Sequence, residues 1–133
     1  MSVAWLDTNV VVRFLAKEPP GLARRAERLL ARAQTGEIAF RLTPIVVAEI
    51  VWVLRRIYRR EPSEIAAGLS ALLRADGIST DQRDLLLEAL DLMLEKRVAF
   101  PDAFVAVSAR LANEPVCTFD TDFERLNVEV LAG

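Results

Sequence analysis

A chain of 133 residues is long enough for one domain with a real core and too short for two. It has no histidine and one cysteine, Cys117, which rules out Ser-His-Asp and Cys-His catalysis, a thiolate zinc site, the two-histidine ribonuclease mechanism and an internal disulfide. The net charge of −2 gives no bulk attraction to nucleic acid, and no apolar run approaches the roughly 20 residues that span a bilayer.

In chain order, Val3 to Leu6 reads as a short apolar strand ending at Asp7, and Thr8 to Ala16 as a helix. After a loop from Lys17 to Gly21, Leu22 to Thr35 is an amphipathic helix stopped by Gly36. Ile38 to Leu42 is a second strand, and Thr43-Pro44 starts a helix expected to reach about Arg60. Pro62-Ser63-Glu64 opens a fourth helix ending near Asp76-Gly77, followed by a very short strand at Ile78-Ser79. Asp81 is expected to cap a fifth helix to about Arg97, and Pro101-Asp102 begins a sixth through Leu111. Pro115 to Phe119 reads as a strand ending in the turn Asp120-Thr121-Asp122, and Val128 to Leu131 as a last strand. Strands alternating with helices predict one α/β domain over residues 1–133, with a central parallel sheet of about five strands flanked by helices.

The apolar fraction of 53% and the mean hydropathy of +0.25 are high, so some apolar surface is expected to be covered by another chain, in a homodimer or with an obligate partner. The first residues, Met1 to Asp7, carry neither a basic start nor a cleavage site, and a cytoplasmic protein away from membranes is expected.

If carboxylates do the chemistry, their placement matters. In open parallel sheets the functional crevice lies beyond the carboxyl ends of the strands, where the strand order reverses. Asp7 is expected there, as are Asp120 and Asp122, while Asp102 opens the preceding helix. Glu49 falls inside the run Pro44 to Leu54, between Ile45 and Val46 one turn back and Trp52 and Val53 one turn ahead, so no solvated stripe is expected for it. Acids gathered in this way repel one another, and a divalent cation reverses the sign. All-oxygen donors select Mg²⁺ or Mn²⁺ over zinc. One ion, or two roughly 3.5–4 Å apart, suits phosphodiester hydrolysis by an activated water.

Each acid also has a structural reading: Asp7 as an N-cap, Asp102 as a first-turn acid favoured by the helix dipole, Asp120 and Asp122 as turn formers. Thr8, Asn9 and Thr118 are short polar neighbours suited to orienting carboxylates or water, or to ordinary helix starts and strand ends. Fifteen of the seventeen basic residues are arginine, with clusters at Arg24, Arg25, Arg28 and Arg32 and at Arg55, Arg56, Arg59 and Arg60. These are solvated helix faces or phosphate contacts; Arg13, Arg55, Arg56 and Arg59 are the candidates for binding substrate.

Together, Leu6-Asp7-Thr8-Asn9, Glu49 in an apolar helix, Pro101-Asp102-Ala103 and Thr118-Phe119-Asp120-Thr121-Asp122-Phe123 resemble the PIN-domain ribonucleases, and most of all the VapC-type toxins of toxin–antitoxin modules. The resemblance spans the chain and departs from the family's habit at Pro101, which fixes the entry to the helix of Asp102. It implies a Rossmann-like sheet and a Mg²⁺- or Mn²⁺-dependent endoribonuclease. Asp7, Glu49, Asp102 and Asp120 would be the catalytic acids, with Asp122 as a fifth metal ligand. It further implies a dimer, and a small antitoxin protein that masks an apolar groove. A receiver-like signalling domain would need adjacent acids after the first strand and a lysine after the last, yet Asp7 is followed by Thr8-Asn9 and the lysines are Lys17 and Lys96. An aspartyl-nucleophile phosphatase would need an acid where Asn9 stands. The alternative kept open is a PIN fold that binds protein, with little or no catalysis.

Overall fold

Ser2–Trp5 (β1), Ile38–Arg41 (β2) and Ile78–Ser79 (β3) form a parallel sheet in the order β1-β2-β3 in the computed structural model, which describes residues 2–131. The expected domain limits, residues 1 and 133, lie outside the described residues. The register pairs Ser2 with Ile38 and Trp5 with Arg41, then Phe40 with Ile78. Backbone bonds from Leu6 N–H to the Arg41 carbonyl (2.8 Å) and from Leu42 N–H to the Ser79 carbonyl (2.9 Å) carry the ladder to the carboxyl ends of the strands. Two helices leave that edge from neighbouring strands: Thr8–Ala16 (α1), two residues beyond β1, and Pro44–Arg56 (α3), two residues beyond β2.

The chain divides into two compact units, one up to Asp81 and one from Gln82. In the first, α1 packs against Pro20–Gln34 (α2) and α3, and α3 also packs against Pro62–Arg74 (α4). The apolar residues follow the helical period: α1 buries Val11, Val12 and Ala16, α3 buries Val47, Ile50, Val51 and Leu54, and α4 buries Ile65, Leu69, Leu72 and Leu73. In the second unit Arg83–Lys96 (α5) packs against Phe100–Ala112 (α6), burying Leu86, Leu90, Ala103, Ala106 and Val107.

The turn expected at Asp120-Thr121-Asp122 forms and continues into a short 3₁₀ helix, Thr121–Arg125. Four expectations are corrected. The last two apolar runs form only an isolated parallel bridge, Val116 to Val130, so among the described residues the sheet has three strands and its order does not reverse. The helix expected to reach Arg60 ends at Arg56, because Tyr58 N–H reaches back to the Val53 carbonyl and Arg59 turns left-handed, at φ 55°. Asp81 does not cap α5, whose N-cap is Gln82. Finally, Glu49 is exposed: its apolar neighbours Ile45 and Trp52 are themselves 78% and 56% exposed, and α3 turns its opposite face inward.

Capping separates two helix starts of similar sequence. Thr43 accepts the Val46 N–H at 3.3 Å, whereas Asp7 occupies the N-cap position of α1 in extended backbone and accepts no such bond. Thr43→Ala is therefore expected to cost about 1 kcal/mol, read from the urea midpoint, while Asp7→Ala costs less than half of that.

Candidate active site

Asp7 is held at the edge where the sheet delivers α1, with its backbone shaped for a cap and its carboxylate exposed and not spent on one. Next to it Thr8 is buried, and its hydroxyl has no hydrogen-bond partner. A buried hydroxyl without a partner costs about 1–3 kcal/mol, so this one is suited to a bound water or to a ligand of the Asp7 carboxylate. Glu49 lies in the second turn of α3, the helix that starts beside α1 and packs on it. Asn9 and Arg13 stand one turn apart on α1, and Arg13 donates to the Tyr58 hydroxyl at 2.5 Å.

In the second unit Asp102 occupies the first turn of α6, behind Phe100 and Pro101. Proline costs nothing there, because the N–H it lacks would have no partner in the helix. Burial comes first, and then the charges of Asp120 and Asp122, in pushing the Asp102 carboxyl above its ordinary value. Those two acids are held by a local turn. Thr118 Oγ1 accepts the Asp120 N–H (2.9 Å), and Asp120 Oδ1 accepts the Asp122 N–H (2.8 Å) and so caps the 3₁₀ helix. Asp122 also pairs with Arg125 at 3.5 Å. Thr118 thus orients the acidic turn through backbone, and Asp120 acts as a cap while keeping its second oxygen.

The sequence-predicted acids fall into two sets, Asp7 and Glu49 in the first unit and Asp102, Asp120 and Asp122 in the second. Among the described residues no three of the acidic or cysteine side chains stand together as a closed metal shell. The donor chemistry nonetheless fits a hard divalent cation: every candidate donor is oxygen, Asp102 is under pressure from like charge, and the Thr8 hydroxyl awaits a partner.

The basic candidates sort by partner. Arg32 pairs with Glu37 at 2.8 Å, and Arg60 with Glu18 and Glu64 at 3.4 and 3.6 Å, so these guanidinium groups are engaged. Arg55, Arg56 and Arg59 are exposed, but Arg59 lies past the end of α3 and off the stripe the spacing implied. Tyr58 was not anticipated, since no local pattern links it to Arg13, 45 residues away.

A comparison with curated proteins finds no match for the chain. The family model of the PIN domain matches residues 4–129, reaching into both units and taking in the end of the strand that leads to Asp7 and the Asp120 turn. On that match, which spans nearly the whole chain, the protein belongs to the PIN domain family.

Proposed function

We propose that the protein is a metal-dependent endoribonuclease and the toxin of a toxin–antitoxin pair, acting in the cytoplasm as a homodimer. PIN domains are nuclease-like and usually use divalent metal ions, which supports the broad reading. The observation that carries it to this chain is the state of Asp102, a half-buried carboxyl pushed up by its burial and by Asp120 and Asp122. A purely structural acid is rarely kept among other acids, because each neighbour disfavours its ionised form.

In this reading Asp7, Glu49, Asp102 and Asp120 are the catalytic acids, and with Asp122 they hold Mg²⁺ or Mn²⁺. When bound, such an ion lowers the pKa of a water and neutralises charge at the scissile phosphate. The chain's own part is positional. The Thr118 and Asp120 backbone bonds fix the acidic turn, the Thr8 hydroxyl is placed to take a water beside Asp7, and Asn9 lies two residues further along α1. Arg13, Arg55, Arg56 and Arg59 contact RNA phosphates, which positions the strand without reading its bases.

A groove of about 1010 Å³ in the first unit, floored by Leu30, Leu54 and Leu72, supports the antitoxin part of the reading. It equally favours the rival, a PIN fold that serves as a protein-binding module. Incubation of single-stranded RNA with the protein separates them: a nuclease cleaves with Mn²⁺ or Mg²⁺ and stops with EDTA. RNA left whole under all conditions, with the Mn²⁺-induced rise in Tm also missing, would leave the binding module.

A further inference from the structure

A second, smaller cleft of about 270 Å³ opens in the first unit between α1 and α2, where Asn9 and Arg13 face Leu22, Arg25 and Leu29. Its two guanidinium groups differ from most of the others whose partners are known. Arg32, Arg60, Arg110 and Arg125 are held in ion pairs, whereas Arg13 and Arg25 face the cleft without a carboxylate among the described residues. Arg13 is nevertheless fixed, because one of its N–H groups is taken by the Tyr58 hydroxyl, and the rest of its planar fork is aimed by that bond. Leu22 and Leu29 are partly exposed, at 41% and 38%, and supply an apolar wall opposite.

Two unpaired guanidinium groups, an amide and an apolar wall in a space too small for most drug-sized ligands match one nucleotide unit. The phosphate meets the arginines, and the sugar or base lies on the leucines. Asp7 begins the same helix, six residues before Arg13, about 9 Å along its axis. A single strand whose scissile phosphate is at Asp7 therefore carries a neighbouring phosphate toward the cleft. We infer that the α1–α2 cleft is a nucleotide subsite of the RNA substrate, with Arg13 and Arg25 clamping a phosphate adjacent to the one that is cut. This rests on the nuclease reading.

The test is fluorescence anisotropy of a labelled 12-nucleotide single-stranded RNA on the full chain in EDTA, from low to moderate salt, followed by cleavage with Mn²⁺. Arg25→Gln is the deciding variant, since Arg25 is exposed on α2 and its loss does not touch the core. Arg28→Gln, on the same helix and outside the cleft, removes the same charge. Arg25→Gln is expected to weaken binding on the order of ten-fold and to lower the salt slope by about 0.7, the value of one single-strand phosphate contact. Arg28→Gln should leave the slope unchanged, and Tyr58→Phe, which keeps the charge of Arg13 but frees its fork, should fall between. Equal effects of Arg25→Gln and Arg28→Gln, or no RNA binding by the wild type, would overturn the subsite. Intact, Arg25-dependent binding without cleavage would overturn the nuclease reading, and with it the place of the clamp beside a scissile phosphate, and would leave the cleft as an RNA-binding site only.

Discussion

Asp102→Asn is expected to reduce Mn²⁺-dependent RNA cleavage by more than about 100-fold while leaving the metal-free protein at neutral pH as stable as the wild type, or more so. The first part follows from the proposed role of Asp102 as a ligand: losing a partner that merely orients a ligand costs about 10–100-fold, and losing the ligand costs more. The second part follows from its surroundings. The Asp102 carboxyl lies above its ordinary 3.8 because burial, and then Asp120 and Asp122, disfavour its charge. A carboxyl raised on folding is harmless below its unfolded value and weakens the fold as pH climbs through the folded one. Wild type and variant should therefore have converging urea midpoints near pH 4, with the variant gaining relative ground toward pH 7 in EDTA. Added Mn²⁺ should reverse the order, stabilising the wild type and not the variant. A variant that is clearly less stable at pH 7 without metal would make Asp102 a first-turn dipole partner of α6 and nothing more.

How far this site could be read from the sequence depends on whether the information was local. The helix Thr8–Ala16 and the strand Ile78–Ser79 emerge with the bounds their patterns suggest, because apolar period and helix starts act within a few residues. The position of Asp7 beyond β1 and of Asp102 in the first turn of α6 is local in the same sense. Whether Asp7 uses its cap is not local, and Thr43 shows that a similar start can go the other way. Glu49 misleads for a related reason: apolar neighbours imply burial only if they are buried, and Ile45 and Trp52 lie on the outer face of α3. Val116 and Val130 are apolar enough for strands, but a strand exists only with a neighbour to pair with, and that pairing is limited to one bridge. The Arg13–Tyr58 bond depends on α1 and the end of α3 being brought together, which no window of sequence encodes.

Gly77→Ala is expected to destabilise the protein by about 2–4 kcal/mol, far more than the same change at Gly36. Both glycines have φ of +79°, a left-handed backbone that costs an alanine about 1–2 kcal/mol. The difference lies in the space. A Cβ at Gly36 would meet nothing within 4 Å, whereas at Gly77 it would lie 2.7 Å from both the Cβ and the carbonyl oxygen of Ala33 in the last turn of α2. The Gly77 carbonyl also accepts the Phe40 N–H at 2.8 Å, so the glycine cannot retreat without disturbing the β2–β3 ladder. Overpacking against fixed backbone is added to the left-handed cost, and Tm should fall by about 3–5 °C for each kcal/mol lost. Adding Ala33→Gly should restore part of the loss and not all of it, since the Ala33 carbonyl stays in the way. Equal Tm values for Gly77→Ala and Gly36→Ala would show that α2 yields at its last turn. In that case the close approach of α2 to the β3 edge would be a consequence of the sheet's position and not one of the contacts that fix it.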